Sequence, residues 1–247
     1  MSDKATPRPG AKRAVGPLAF LGAAGVVTAL NLIPHGETVL YPLAVFTTWV
    51  HEACHALAAW VLGADVLGLL VRPDTSGLAT YAFNPQEFGT FSRATTTSAG
   101  YLGAALAAAG LLAAARKPVL HRPVLGALTL LLVLTVLLWV RTAFGVVVLL
   151  LIAAGLGAVA FALSAEVAKW ALLLLGLQTG LNAVMDIRAL YYVTGTSDAQ
   201  TMSRLIGLPP AIWATLWLAI GVVVIVLSFL KSVAGDEPKA LPGIRKT

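Results

Sequence analysis

Charge is what this sequence has least of. Asp, Glu, Lys and Arg make up 11% of its 247 residues, against 58% hydrophobic. A soluble domain of this size carries about 25% charge, so this balance, with a mean hydropathy of +0.86, implies an integral membrane protein. A single cysteine, Cys54, excludes an internal disulfide. No basic patch with interleaved aromatics occurs. The formal charge of +6 is held in tails and short loops, which suits anionic lipid headgroups better than nucleic acid. There is no internal repeat and no extramembrane stretch long enough for a second folded domain. A cleavable signal peptide is not expected either: the polar start contains Pro7, Pro9 and Gly10, and the first apolar run outlasts signal-peptide length without a cleavage pattern.

What the chain has instead is seven apolar runs, at about 15–34, 37–63, 96–115, 124–140, 143–163, 167–192 and 209–230. Most reach the roughly 20 residues that a helix needs to cross the hydrocarbon core. The expected fold is an all-α polytopic membrane protein of about seven transmembrane helices. It forms one domain over 15–230, with disordered tails at 1–14 and 231–247. Lys4, Arg8, Lys12 and Arg13 favour a cytoplasmic N-terminus. Small residues crowd the third run (Ala99, Gly100, Gly103, Ala104, Ala105), which marks it for the centre of the bundle. Only Arg141-Thr142 divides the fourth run from the fifth, so these two form a tight helical hairpin with Arg141 snorkelling to the headgroups. Two short apolar segments, 66–71 and 78–83, flank Pro73-Asp74-Thr75-Ser76-Gly77 and read as a β-hairpin at the membrane edge. Its free edge is either a template for an extended peptide or simply a membrane-associated loop.

Chemistry concentrates in the second run, at His51-Glu52-Ala53-Cys54-His55. Two histidines four apart share a helix face and can bind one metal, and the adjacent Glu can act as general base on a metal-activated water. Ionisable groups inside a spanning helix are costly, and that cost marks a functional site. Cys54 points about 100° or more away from both histidines on the helix, so it packs rather than ligates.

A catalytic zinc of this kind takes three protein ligands and leaves one position open. His35 and His121 lie at span ends, Asp65 and Asp74 in the hairpin region, Glu166 at the start of the sixth run, and Asp198 in a polar loop. Asp186 lies deep in the sixth run, where a carboxylate needs a strong partner: a metal, or an ion pair such as Arg188. Asn182, one turn earlier on the same face, either lines the site or packs helices.

Together these residues resemble the site-2 protease family of intramembrane zinc metallopeptidases, in its short bacterial branch without a PDZ domain. The matching features are His-Glu-x-x-His in one span, a following β-hairpin, and Asn182…Asp186 in a later span. Ser197-Asp198-Ala199 and Leu208-Pro209-Pro210-Ala211-Ile212-Trp213 also fit that branch. Met185-Asp186-Ile187 stands where better-studied members carry Leu-Asp-Gly. The resemblance implies that His51, His55 and Asp186 hold Zn2+, that Glu52 is the catalytic base, and that Asn182 meets the substrate. It also implies a multi-pass protein of the cell membrane that hydrolyses membrane-spanning protein substrates. Two other classes use the same residues: a membrane metal-binding or transport protein, and an inactive scaffold that binds helices. A transporter is expected to show more intramembrane polar residues and broken helices in corresponding halves, and a scaffold has no need of an intact His-Glu-x-x-His.

Overall fold

The computed structural model describes residues 17–189 and 197–234. The expected N-terminal tail, most of the C-terminal tail and the Arg188 side chain lie outside the described residues. Among the described residues, eight α-helices and one β-hairpin follow in the order α1 (Pro17–Leu32), α2 (Gly36–Val61), β1 (Asp65–Val71), β2 (Gly77–Ala82), α3 (Thr90–Arg116), α4 (His121–Leu138), α5 (Ala143–Phe161), α6 (Ala165–Ala189), α7 (Asp198–Ile206) and α8 (Pro210–Ala234).

Each of the seven apolar runs becomes a helix, but not each is a span. Five helices, α3, α4, α5, α6 and α8, are long and apolar enough to cross a membrane alone. α1 and α2 qualify only as a pair, bent by 109° at a short break, so the described residues hold five spans, or six if the bent pair is one. The bend has a local cause. Pro34 cannot continue the α1 hydrogen-bond ladder, and His35 turns left-handed at φ 62°. The chain then folds so tightly that a Cβ on Gly36 would strike the Leu30 carbonyl, which reserves that position for glycine. The protein is multi-pass.

α3 is the central helix, as its small residues require. It packs against α2, α6, α7 and α8, and Gly100, Ala104, Ala105 and Ala108 are buried on it. Close approach costs such residues little because their side chains leave room for neighbouring backbones.

The hairpin is antiparallel, with Leu69 opposite Ala79 and Val71 opposite Gly77. Its turn is tied to α2. Tyr41 Oη donates to the Pro73 carbonyl at 2.7 Å and Thr48 Oγ1 to the Thr75 carbonyl at 2.6 Å. The Asp74 carboxylate accepts from the Ser76 N–H at 3.0 Å and closes the turn itself. β1 is covered on its far edge by the α4–α5 connection. Leu69 N–H donates to the Trp139 carbonyl at 2.7 Å, and the Leu69 carbonyl accepts from Arg141 N–H at 3.1 Å. Leu69 thus spends both main-chain groups away from β2, which makes Leu69–Ala79 a non-hydrogen-bonded pair. By the antiparallel pattern, Ala79 turns its own N–H and C=O outward from β2.

α7 falls where hydropathy alone shows only a polar loop. Ser197 caps it, its side chain accepting from Gln200 N–H at 3.3 Å, and Gly207 ends it at φ 92°. Ala199 and Met202 are buried, joining Tyr101, Ala214 and Trp217 in a small apolar cluster that fastens α7 to α3 and α8.

Candidate metal centre

His51, Glu52 and His55 sit on α2 where it passes beneath the hairpin and beside α3. His55 Nδ1 lies 2.7 Å from the Thr96 carbonyl of α3. A carbonyl only accepts, so Nδ1 carries the proton and Nε2 is left with a free lone pair. That Nε2 faces His51 Nε2 at 3.0 Å. Beneath the pair lies Gly100, where any Cβ would collide with both imidazoles. The His51 ring meets the edge of Tyr101, centroids 4.6 Å apart, and Tyr101 stacks on Trp217 of α8 at 5.1 Å. This aromatic wall limits how far His51 can rotate.

The third group is Asp198, the first residue of α7. Its Oδ2 lies 3.2 Å from His55 Nε2 and 3.5 Å from His51 Nε2. Among the described residues, the group of His, Cys, Asp and Glu whose ligand atoms all lie within 4.8 Å of one another is His51, His55 and Asp198. The spacings suit one metal. Ligands about 2.0–2.1 Å from a tetrahedral zinc stand about 3.3 Å from each other, and the three observed spacings are 3.0, 3.2 and 3.5 Å. Two neutral imidazoles and a carboxylate are also a donor set that zinc accepts.

Glu52 is buried next to this triad. Gly77 of β2 presses against it so closely that a Cβ there would lie 2.7 Å from Glu52 Oε1, and the Ala79 N–H faces the same carboxylate. The outward-facing edge of β2 therefore borders the triad. A cavity of about 430 Å³ lies between them, lined by His51, Glu52, His55, Gly77, Ala79, Tyr81, Tyr101 and Asp198.

The residues expected from sequence fall into two groups. His51, Glu52 and His55 lie together on α2 beside Asp198. Asp186 does not join the 4.8 Å cluster. It is exposed on α6 and lines a separate cavity of about 170 Å³ with Thr48, His51, Glu52 and Asn182. Asn182 Oδ1 accepts from Gln178 Nε2 at 2.6 Å, and Gln178 in turn pairs with Asn31 of α1 at 3.0 Å. Cys54 packs against α3, where a Cβ on Gly103 would meet its Sγ at 2.5 Å. Asp198 had a readable signal: Ser-Asp is a helix cap with an acidic first residue, and Gly207-Leu208-Pro209 stops that helix nine residues on.

Compared with known proteins, residues 22–228 match a family model described as Peptidase M50B-like. No curated protein and no solved structure matches the chain.

Proposed function

Because this chain belongs to the Peptidase M50B-like family of site-2 protease-like intramembrane metallopeptidases, we propose that it hydrolyses peptide bonds of membrane-embedded proteins with a zinc held by His51, His55 and Asp198. The observation that carries this reading is the convergence of three ligand atoms beside a buried glutamate and an open strand edge. Bound zinc would supply a Lewis acid that makes water acidic enough to attack an amide near neutral pH.

The protein's own groups do the rest. Glu52 accepts a proton from the attacking water as the new C–O bond forms, then delivers it to the amine as the C–N bond breaks. The substrate must reach this point unwound, because helical amides are hydrogen-bonded and screened. Along the outward edge of β2, main-chain groups such as the Ala79 C=O offer an extended segment partners of the kind it loses on unwinding, by strand addition. Gly77 lets that edge approach Glu52 without a side chain in the way.

Asp186 is the alternative third ligand, and its share in a cavity with His51 and Glu52 keeps it in play. Asn182, on the same wall, is proposed to hydrogen-bond the substrate backbone. A membrane metal-binding protein and an inactive scaffold are the competing classes. Metal content and cleavage of a membrane-spanning substrate by wild-type, His51→Ala and Glu52→Gln protein separate all three. A protease loses both with His51→Ala and only cleavage with Glu52→Gln. A binding protein never cleaves, and a scaffold holds no stoichiometric metal.

A further inference from the structure

Past the edge of β2 that borders the triad, the hairpin leads to two arginines that no acidic group among the described residues claims. Arg93 lies in the first turn of α3 and Arg204 in the last turn of α7. With Thr90, Thr201 and Leu205 they line a cavity of about 410 Å³. Thr201 also lines the cavity of His51 and Glu52, so the two spaces share a wall. Both guanidiniums are exposed, and among the described residues neither is paired with a carboxylate. Arg93 is held by the Phe83 ring, its Cζ 5.6 Å from the ring centroid. Thr90 is the first residue of α3, and the N-cap Gly89 supplies no side-chain acceptor. The positive end of that helix therefore adds to the same field.

Two unpaired guanidiniums, the Thr90 hydroxyl and a helix N-terminus favour a carboxylate. Its source follows from the line of β2. Ala79 faces Glu52, and Phe83, which carries Arg93, is the first residue past the end of β2, four residues further along. At about 3.3 Å per residue that is roughly 13 Å, and a substrate strand laid beside β2 advances at the same pace. We propose that the Arg93–Arg204 cavity is a specificity subsite for an acidic side chain of the substrate polypeptide, about four residues from the hydrolysed bond. This rests on the protease reading above. A lipid phosphate has related chemistry, but the shared Thr201 wall and the course of β2 favour the polypeptide.

The test uses the full chain in phosphatidylcholine nanodiscs and fluorescent membrane-spanning peptides scanned along both flanks with a single Asp or Asn. Binding is measured on Glu52→Gln protein, and hydrolysis on wild type. One position is expected at which Asp binds about five- to tenfold tighter than Asn, the range of a partly exposed charge-assisted pair. Arg93→Gln and Arg204→Gln should each bring that ratio towards one, and Arg204→Glu should reverse it for a peptide with Lys at the same position. Equal binding of Asp and Asn peptides at every position overturns the subsite, even where hydrolysis is seen. So does an Asp preference that survives the Arg93→Gln/Arg204→Gln double substitution. If the arginine variants alter only the response to added phosphatidylglycerol, the cavity is a lipid site and the proposal is lost. An arginine-dependent Asp preference without hydrolysis leaves the subsite standing and removes the protease reading instead.

Discussion

Asp198 and Asp186 are the same residue type set near the same imidazole pair, and the two helices that carry them treat them differently. Asp198 opens a capped nine-residue helix and places Oδ2 3.2 Å from His55 Nε2. Asp186 sits near the end of a 25-residue apolar helix and lines a neighbouring cavity outside the ligand cluster. Hydropathy alone favours Asp186 as the ligand, because a carboxylate in lipid must offset its desolvation. In the fold, Asp186 also borders a polar cavity that it shares with Asn182, Thr48 and Glu52. Reach and direction distinguish the two, and for Asp198 both come from a helix that is short and capped.

The largest effect should come from emptying the triad. His51→Ala, His55→Ala and Asp198→Asn should each weaken zinc binding by more than about 100-fold and abolish hydrolysis, read by metal analysis after dialysis against a mild chelator. Asp186→Asn should retain stoichiometric zinc in the same assay. If the two aspartate variants exchange behaviour, Asp186 is the ligand and the order of the comparison is inverted.

Next is Glu52→Gln, which keeps the shape and loses the base. Metal should remain while turnover falls by at least about 10²–10⁴-fold; near-normal turnover would remove Glu52 from the chemistry.

Gly100→Ala tests the floor of the site without replacing a ligand. Its Cβ would press on both imidazoles, and the crowding should cost about 1–3 kcal/mol, seen as weaker zinc affinity in a protein that still folds. Unchanged affinity would mean that the histidines are free to move apart.

The smallest effect belongs to the amide chain on the Asp186 side. Gln178→Ala breaks the bonds to Asn31 and Asn182 and should lower stability by about 0.6–2 kcal/mol, with zinc content unaltered. Metal loss there would tie the α6 wall to the triad after all.

Much of this is readable in order along the chain. His51-Glu52-x-x-His55 is local, because helical spacing alone puts both imidazoles on one face. The hairpin is local too, since Asp74 closes its own turn and Gly77 opens the returning strand. Small residues mark α3 as central. The α1–α2 break is punctuated by Pro34 and Gly36, yet its 109° bend depends on the close approach of Gly36 to Leu30. α7 is hidden by brevity: nine residues offer two buried positions, too few for periodicity to stand out from a polar loop.

By itself, the sequence determined a membrane-embedded bundle, a His-Glu-His face and a hairpin after it, since each follows from hydropathy or from contacts within a few residues. Tertiary structure alone decided which acid meets the imidazoles, which edge of the hairpin is open, and that Arg93 and Arg204 share a cavity beside the triad. Asp198 lies more than 140 residues beyond His55, and β2 is the hairpin edge left open because the α4–α5 connection lies on β1 and not on β2. Such pairings are fixed by packing between distant segments, and no local spacing encodes them.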